Sequence, residues 1–129
     1  MNKNETNQWI THYRTDRPNF GLERMLKLLV LRGNPHLKLK VIHIGGTNGK
    51  GSTIAFLKNM LEKMRLRVGV FSSPYLIHYT DQIAINEESI PEARLETLMI
   101  DYRSLLEGEH AHDLQGTTEF EIITAIAYD

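Results

Sequence analysis

The chain has 129 residues, 41% of them hydrophobic and 24% charged, with a formal net charge of −1. That length and composition suit one globular domain, and the balanced charge gives no electrostatic case for nucleic acid as a partner. Cysteine is absent, which removes disulfides and thiol chemistry and fits a reducing, cytoplasmic setting. The polar N-terminus and short apolar runs predict neither a signal peptide nor a membrane span.

Residues Glu5 to Tyr13 read as a short helix around Trp9 and Ile10, and Thr15 to Phe20 as a turn containing Pro18. Leu22, Met25, Leu26, Leu29 and Val30 follow the helical period, with Asn19 as a candidate cap. Gly33-Asn34-Pro35 ends that helix. Val41 to Gly45 is nearly all apolar and β-branched, which predicts a buried parallel strand with His43 packed inside it.

The next stretch carries the chemistry. Gly45, Gly46, Gly49 and Gly51 surround Lys50, and Ser52 and Thr53 follow at the start of a helical pattern predicted from Ser52 to Leu66. Strand, glycine loop and helix form the layout of a phosphate-binding loop. Glycines let backbone N–H groups turn towards an anion, and the helix dipole adds positive potential at the same point. Lys50 can reach the β- and γ-phosphates, and a hydroxyl behind it can help to hold Mg²⁺. The general pattern G-x-x-x-x-G-K-[ST] is met imperfectly. Ile44 stands at its first glycine, and Gly51 where a hydroxyl should follow the lysine. The bland alternative is a glycine-rich turn that binds nothing.

Val68 to Ser72 reads as a second parallel strand, reached through a right-handed crossover. Ser73-Pro74-Tyr75 then lies at a strand's carboxyl end, where ligands of open α/β sheets gather. There Ser73 is either a metal-facing hydroxyl or a turn cap. Ile83-Ala84-Ile85 alternates as one strand of a small hairpin, with its turn at Asn86 to Glu88. Ser89-Ile90-Pro91-Glu92 fits a capping box before a helix whose apolar face is Leu95, Leu98, Met99, Tyr102, Leu105 and Leu106. Gly108 to Gly116 reads as a polar loop, with His110 and His112 solvated. Thr117 or Thr118 caps a last helix, and Glu119 and Glu121 in its first turn suit the dipole. That apolar pattern reaches Asp129 without a stop signal, so the chain reads as the N-terminal piece of a longer protein.

The stretch Gly46-Thr47-Asn48-Gly49-Lys50-Gly51-Ser52-Thr53 resembles the ATP loop of the folylpolyglutamate and dihydrofolate synthases, members of the Mur ligase superfamily. Val68 to Leu76, Gln82 to Asn86 and Thr118 to Ala125 resemble three further blocks of that family, in the same order. The resemblance implies an α/β fold of the P-loop type, with a mostly parallel sheet flanked by helices and a small hairpin. Residues 1–129 would then be the N-terminal part of the ATP-binding domain of a two-domain enzyme about three times as long. The implied activity is ATP-dependent addition of L-glutamate to a folate or dihydropteroate through an acyl phosphate.

Carried over by position, Thr47, Asn48, Gly49, Lys50, Gly51, Ser52 and Thr53 would bind ATP, with Lys50 as the catalytic cation. Ser73 and Glu121 would ligate Mg²⁺. Pro74, Tyr75, Asp81 and Gln82 would lie beside the folate, where many relatives carry Glu-Arg in place of Asp81-Gln82. The expected partners are the small molecules ATP, folate and L-glutamate. The whole enzyme would be a monomer. The isolated piece would be inactive, and would self-associate through a sheet edge and the apolar face of Phe120 to Tyr128. Two other readings stay open: a cell-wall precursor ligase of the same superfamily, and a nucleotide-binding module that turns nothing over.

Overall fold

The computed structural model describes residues 3–14, 21–46, 48–72, 79–86 and 88–129. The chain forms two compact units, Met1–Leu39 with Pro91–Asp129, and Lys40–Ile90.

The first unit is helical: α1 (Lys3–Thr11), α2 (Glu23–Leu31), α4 (Glu92–Glu107) and α5 (Glu119–Tyr128). α2 stops where Gly33 and Asn34 both take left-handed φ, +81° and +55°, as the Gly-Asn-Pro sequence predicts. The core joins Trp9 and Ile10 of α1, Leu28 and Leu29 of α2, Leu95, Leu98, Met99, Tyr102 and Leu106 of α4, and Ile122, Ile123, Ala125 and Ile126 of α5. The α4 face matches the sequence reading except for Leu105, which is half-buried. Ser89 does not cap α4: it pairs with Ala84 in a strand, and the residue before the helix is Pro91. Ile122, Ile123, Ala125 and Ile126 of the expected open face of Phe120 to Tyr128 are covered, because α1, α2 and α4 pack on α5, whereas Phe120 itself is 57% exposed.

A polar clasp closes this core. The Tyr102 hydroxyl donates to the Ala125 carbonyl at 3.1 Å and to Asp129 Oδ2 at 3.2 Å. Arg32 Nε donates to the same carboxylate at 2.6 Å, and its guanidinium lies 5.4 Å from the Tyr102 ring centroid. Burial, then the Asp129 charge, push the Tyr102 phenol well above its ordinary 10.0. A raised phenol contributes stability that is complete below pH 10 and is lost as pH rises above it. Denaturant midpoints are therefore expected to hold from neutral pH to about 9.5 and then fall. In Tyr102→Phe the part of that fall due to Tyr102 should vanish, and an unchanged profile would count against the clasp.

The second unit holds α3 (Lys50–Lys63), β1 (Gly69–Phe71), β2 (Ile83–Ile85) and β3 (Glu88–Ser89). The three strands form one antiparallel sheet in the order β1-β2-β3, with Val70 opposite Ala84 and Ala84 opposite Ser89. Asn86 (φ +48°) turns the hairpin, and its side-chain oxygen accepts from Val68 N at 2.9 Å.

The parallel sheet expected from the sequence is not formed among the described residues. Val41 to Gly46 has no strand structure, and Val41 and Ile42 are 56% and 62% exposed. His43 is likewise exposed rather than packed. β1 pairs antiparallel with β2 instead of parallel with Val41 to Gly45. The physical reason is that a parallel strand gains its hydrogen bonds and burial only from neighbouring strands. Only one crossover is available in this stretch. No helix among the described residues is long and apolar enough to cross a membrane.

Candidate functional site

The glycine loop and helix of the expected phosphate site are present, without the strand. α3 begins at Lys50, and the residue before it is Gly49, in the left-handed region at φ +78°. Gly49 has no side chain to cap the helix, so no N-cap side chain covers its first N–H groups. Gly46 sits at φ +136°. A Cβ built at Gly45, Gly46, Gly49 or Gly51 would meet no atom within 4 Å, so space lies open around all four. Two of these positions need glycine for the backbone turn alone.

Asn48, Lys50, Gly51, Ser52 and Thr53 are all exposed at this end of the helix. Thr53 Oγ1 donates back to the Gly49 carbonyl at 2.9 Å, which ties down the first turn. Lys50 is the only lysine or arginine between Val41 and Thr53. Backbone N–H groups without a side-chain cap, the dipole of a 14-residue helix and one exposed ammonium are the parts from which an anion site is built. Thr47 lies outside the described residues.

Of the expected folate contacts, Pro74 and Tyr75 lie outside the described residues, as does Ser73. Asp81 and Gln82 fall in a 3₁₀ turn, Tyr79–Gln82, leading into β2. The Gln82 carbonyl accepts from Ser72 N at 2.9 Å, which extends the β1–β2 pairing by one bond. Gln82 is 4% exposed, and its Oε1 is buried without a hydrogen-bond partner. An orphaned acceptor costs about 1–3 kcal/mol of desolvation. Gln82→Met is therefore expected to leave stability unchanged or raise it by up to about 1 kcal/mol, as thermal denaturation would show. If that acceptor serves a bound ligand, the same variant should lose folate affinity without losing stability.

Glu121 is in the first unit, and its surroundings are structural. Thr118 and Glu121 form a reciprocal capping box at the start of α5. Glu121 Oε1 accepts from Thr118 N at 3.1 Å, from Thr118 Oγ1 at 3.2 Å and from Arg24 Nε at 3.3 Å. The Arg24 and Glu121 side chains are 19% and 13% exposed. Sequence reading missed Arg24, since a pairing across 97 residues leaves no local spacing to find. Among the described residues, no three His, Asp or Glu side chains gather as a metal site. All three printed donors meet Glu121 Oε1, and the other expected donor, Ser73, lies outside the described residues.

Comparison with known proteins bears on the whole stretch. No protein-family model matches the chain. The dihydrofolate synthetase of Saccharomyces cerevisiae is 41% identical over 108 residues, 84% of this chain and 24% of that protein. The folylpolyglutamate synthase of Lacticaseibacillus casei is 36% identical over 129 residues, 99% of this chain and 30% of that one. The solved folylpolyglutamate synthetase from Lactobacillus casei superposes with a TM-score of 0.87 at 37% identity, covering 99% of this chain and 32% of that structure. The relatives of this chain are folylpolyglutamate and dihydrofolate synthases.

A folylpolyglutamate synthase solved in complex with AMPPCP and folate superposes with a TM-score of 0.88 at 36% identity, again over 99% of this chain and 32% of that structure. The chain thus spans about a quarter to a third of the length of these synthases. Their shared fold includes the helical unit and the small antiparallel sheet described above.

Proposed function

We propose that residues 1–129 are the N-terminal part of the ATP-binding domain of a folylpolyglutamate or dihydrofolate synthase, and that the whole protein joins L-glutamate to a folate. The observation that carries this reading is the open glycine cradle at the start of α3, with Lys50 at its mouth, in a chain whose relatives bear those names. The folate-enzyme relatives favour this substrate over a cell-wall precursor. ATP would lie with its phosphates on the N–H groups of Asn48, Gly49, Lys50, Gly51, Ser52 and Thr53, beside Thr47. Lys50 would offset charge on the β- and γ-phosphates as the γ-phosphoryl group moves to a folate carboxylate oxygen and ADP departs. The glutamate amine would then attack the acyl carbon, lose a proton, and expel inorganic phosphate. The chain's part in this is positioning and charge neutralisation.

Pro74, Tyr75, Asp81 and Gln82 are the proposed folate neighbours in the same reading. Mg²⁺ is the ion the resemblance implies, with Ser73 and Glu121 as its donors there. No step of the proposed reaction is routed through the ion. The test is twofold. Full-length protein should move labelled glutamate into tetrahydrofolate or dihydropteroate in the presence of ATP, while these 129 residues alone should not. A full-length protein that binds ATP and ligates neither substrate would overturn the proposal and leave a nucleotide-binding module.

A further inference from the structure

Asn48-Gly49 is the only Asn-Gly pair in the chain, and it leads directly into α3. An asparagine can react with its own backbone when the nitrogen of the next residue reaches the side-chain amide carbon. Folded proteins ordinarily prevent this in three ways: a side chain on the next residue blocks the approach, hydrogen bonds hold the two groups, or burial keeps water out. None of the three operates here. Asn48 and Gly49 are both exposed, in a bend ahead of the helix. Gly49 has no side chain, and a Cβ built on it would meet nothing within 4 Å. Among the described residues, neither the Asn48 amide nor the Gly49 N–H has a hydrogen-bond partner. The other described asparagines differ. Asn4, Asn7 and Asn59 lie inside helices. Asn34 precedes Pro35, whose nitrogen carries no hydrogen. The Asn86 side chain accepts from Val68 N at 2.9 Å.

We propose that Asn48 is a site of deamidation, and that the reaction puts a carboxylate into the glycine loop and weakens its hold on nucleotide. The second clause rests on the functional reading above. In the first step Gly49 N bonds to Asn48 Cγ, the bond from Cγ to the side-chain nitrogen breaks, and ammonia leaves, carrying the proton that Gly49 N gives up. The product is a five-membered succinimide. Water then adds to one ring carbonyl or the other, leaving aspartate or isoaspartate at position 48. Water is the only co-reactant, and nothing is oxidised or reduced. The surroundings favour the first step. As the nitrogen attacks, negative charge gathers on Asn48 Oδ1. The Lys50 ammonium and the first N–H groups of α3, which no N-cap side chain covers, follow directly in the chain. These are the groups assigned above to phosphate oxygens, so a bound nucleotide competes with that oxyanion and slows the reaction. Afterwards the loop carries one more negative charge, and isoaspartate also lengthens the backbone by one atom. Both oppose an anion at this point.

The first measurement needs no nucleotide. The folded chain and a synthetic peptide of residues 45–54 are incubated side by side at mildly alkaline pH, then digested and mapped by mass spectrometry. The chain should gain about one dalton, in the fragment carrying Asn48 and nowhere else among the described asparagines, as separable aspartate and isoaspartate forms. Its rate should lie within about tenfold of the peptide's, as expected of an open loop. Reaction in the peptide but not in the folded chain would overturn the site, and so would equal reaction at Asn34, Asn59 or Asn86. The second measurement is affinity for a non-hydrolysable ATP analogue. The deamidated chain and Asn48→Asp should both bind at least about tenfold more weakly than fresh chain, by a margin that shrinks as salt rises. Saturating analogue should slow deamidation in the chain and leave the peptide unaffected. Equal affinity before and after deamidation would overturn the effect on the loop. Fresh chain that binds no analogue, yet deamidates at Asn48, would sink the functional reading and leave the site standing.

Discussion

Replacing Lys50 with alanine is expected to weaken binding of a non-hydrolysable ATP analogue by about ten- to a hundredfold. That is the ~1.5–3 kcal/mol carried by a hydrogen bond to a charged group. Thermal stability should not change, because Lys50 is exposed and its side chain contributes nothing to a core. The combination matters more than either result. The positive φ of Gly46 and Gly49 does not depend on the Lys50 side chain, so the backbone there should survive in the variant while the lysine is lost. Isothermal titration of both proteins, at two salt concentrations, decides the matter. Equal affinities would remove nucleotide from the account of this loop, and a large loss of stability would show that the ammonium holds the fold. A smaller difference at higher salt is expected, since part of the interaction is screened.

The parts of this fold that were legible in the sequence are those whose partners lie nearby or on the same face. The α4 stripe from Leu95 to Leu106 could be read because helical period alone puts those side chains on one side. Its burial against α1 and α5 then follows from apolar area. The stop after α2 was equally plain, since Gly33 and Asn34 can adopt left-handed φ at low cost. The hairpin at Asn86 was found by alternation and turn chemistry.

The parallel sheet was not legible, for a reason of topology. Alternation and apolar runs identify a strand-former, but the pairing partner is a property of the whole chain. Val41 to Gly45 has the composition of a buried strand, yet Val41, Ile42 and His43 stand exposed and Ile44 is half-buried, while Val68 to Ser72 supplied β1 and paired with the hairpin instead. The candidate site divides in the same way. Gly49-Lys50-Gly51 is a local arrangement and appeared where the sequence put it, at the mouth of α3. Ser73, Pro74 and Tyr75 fall outside the described residues. Glu121 could be read two ways from sequence, as a first-turn acid or as a metal ligand, and only Arg24, 97 residues away, shows what its carboxylate touches.

That contact gives the second large effect. Glu121→Ala is expected to cost about 2–3 kcal/mol of folding stability, from the lost capping box and from the ion pair it removes. The pair is worth more than a typical surface bridge because both side chains are mostly covered, at 19% and 13% exposure. Glu121→Gln separates the contributions. Its amide oxygen can still accept from Thr118 N, so the cap should persist, while the charge opposite Arg24 is gone and about 1 kcal/mol should be lost. Arg24→Met, which removes the cation and keeps much of the apolar stem, should cost at least as much as Glu121→Gln, and the double variant less than the sum of the two. The metal reading expects the opposite pattern. There Glu121→Gln would leave denaturation unchanged and lower the Mg²⁺-dependent affinity for ATP. Denaturation curves and magnesium titrations on the same two variants therefore separate an anchor between α2 and α5 from a ligand at the nucleotide. Non-additivity with Arg24→Met is the result that only the anchor produces.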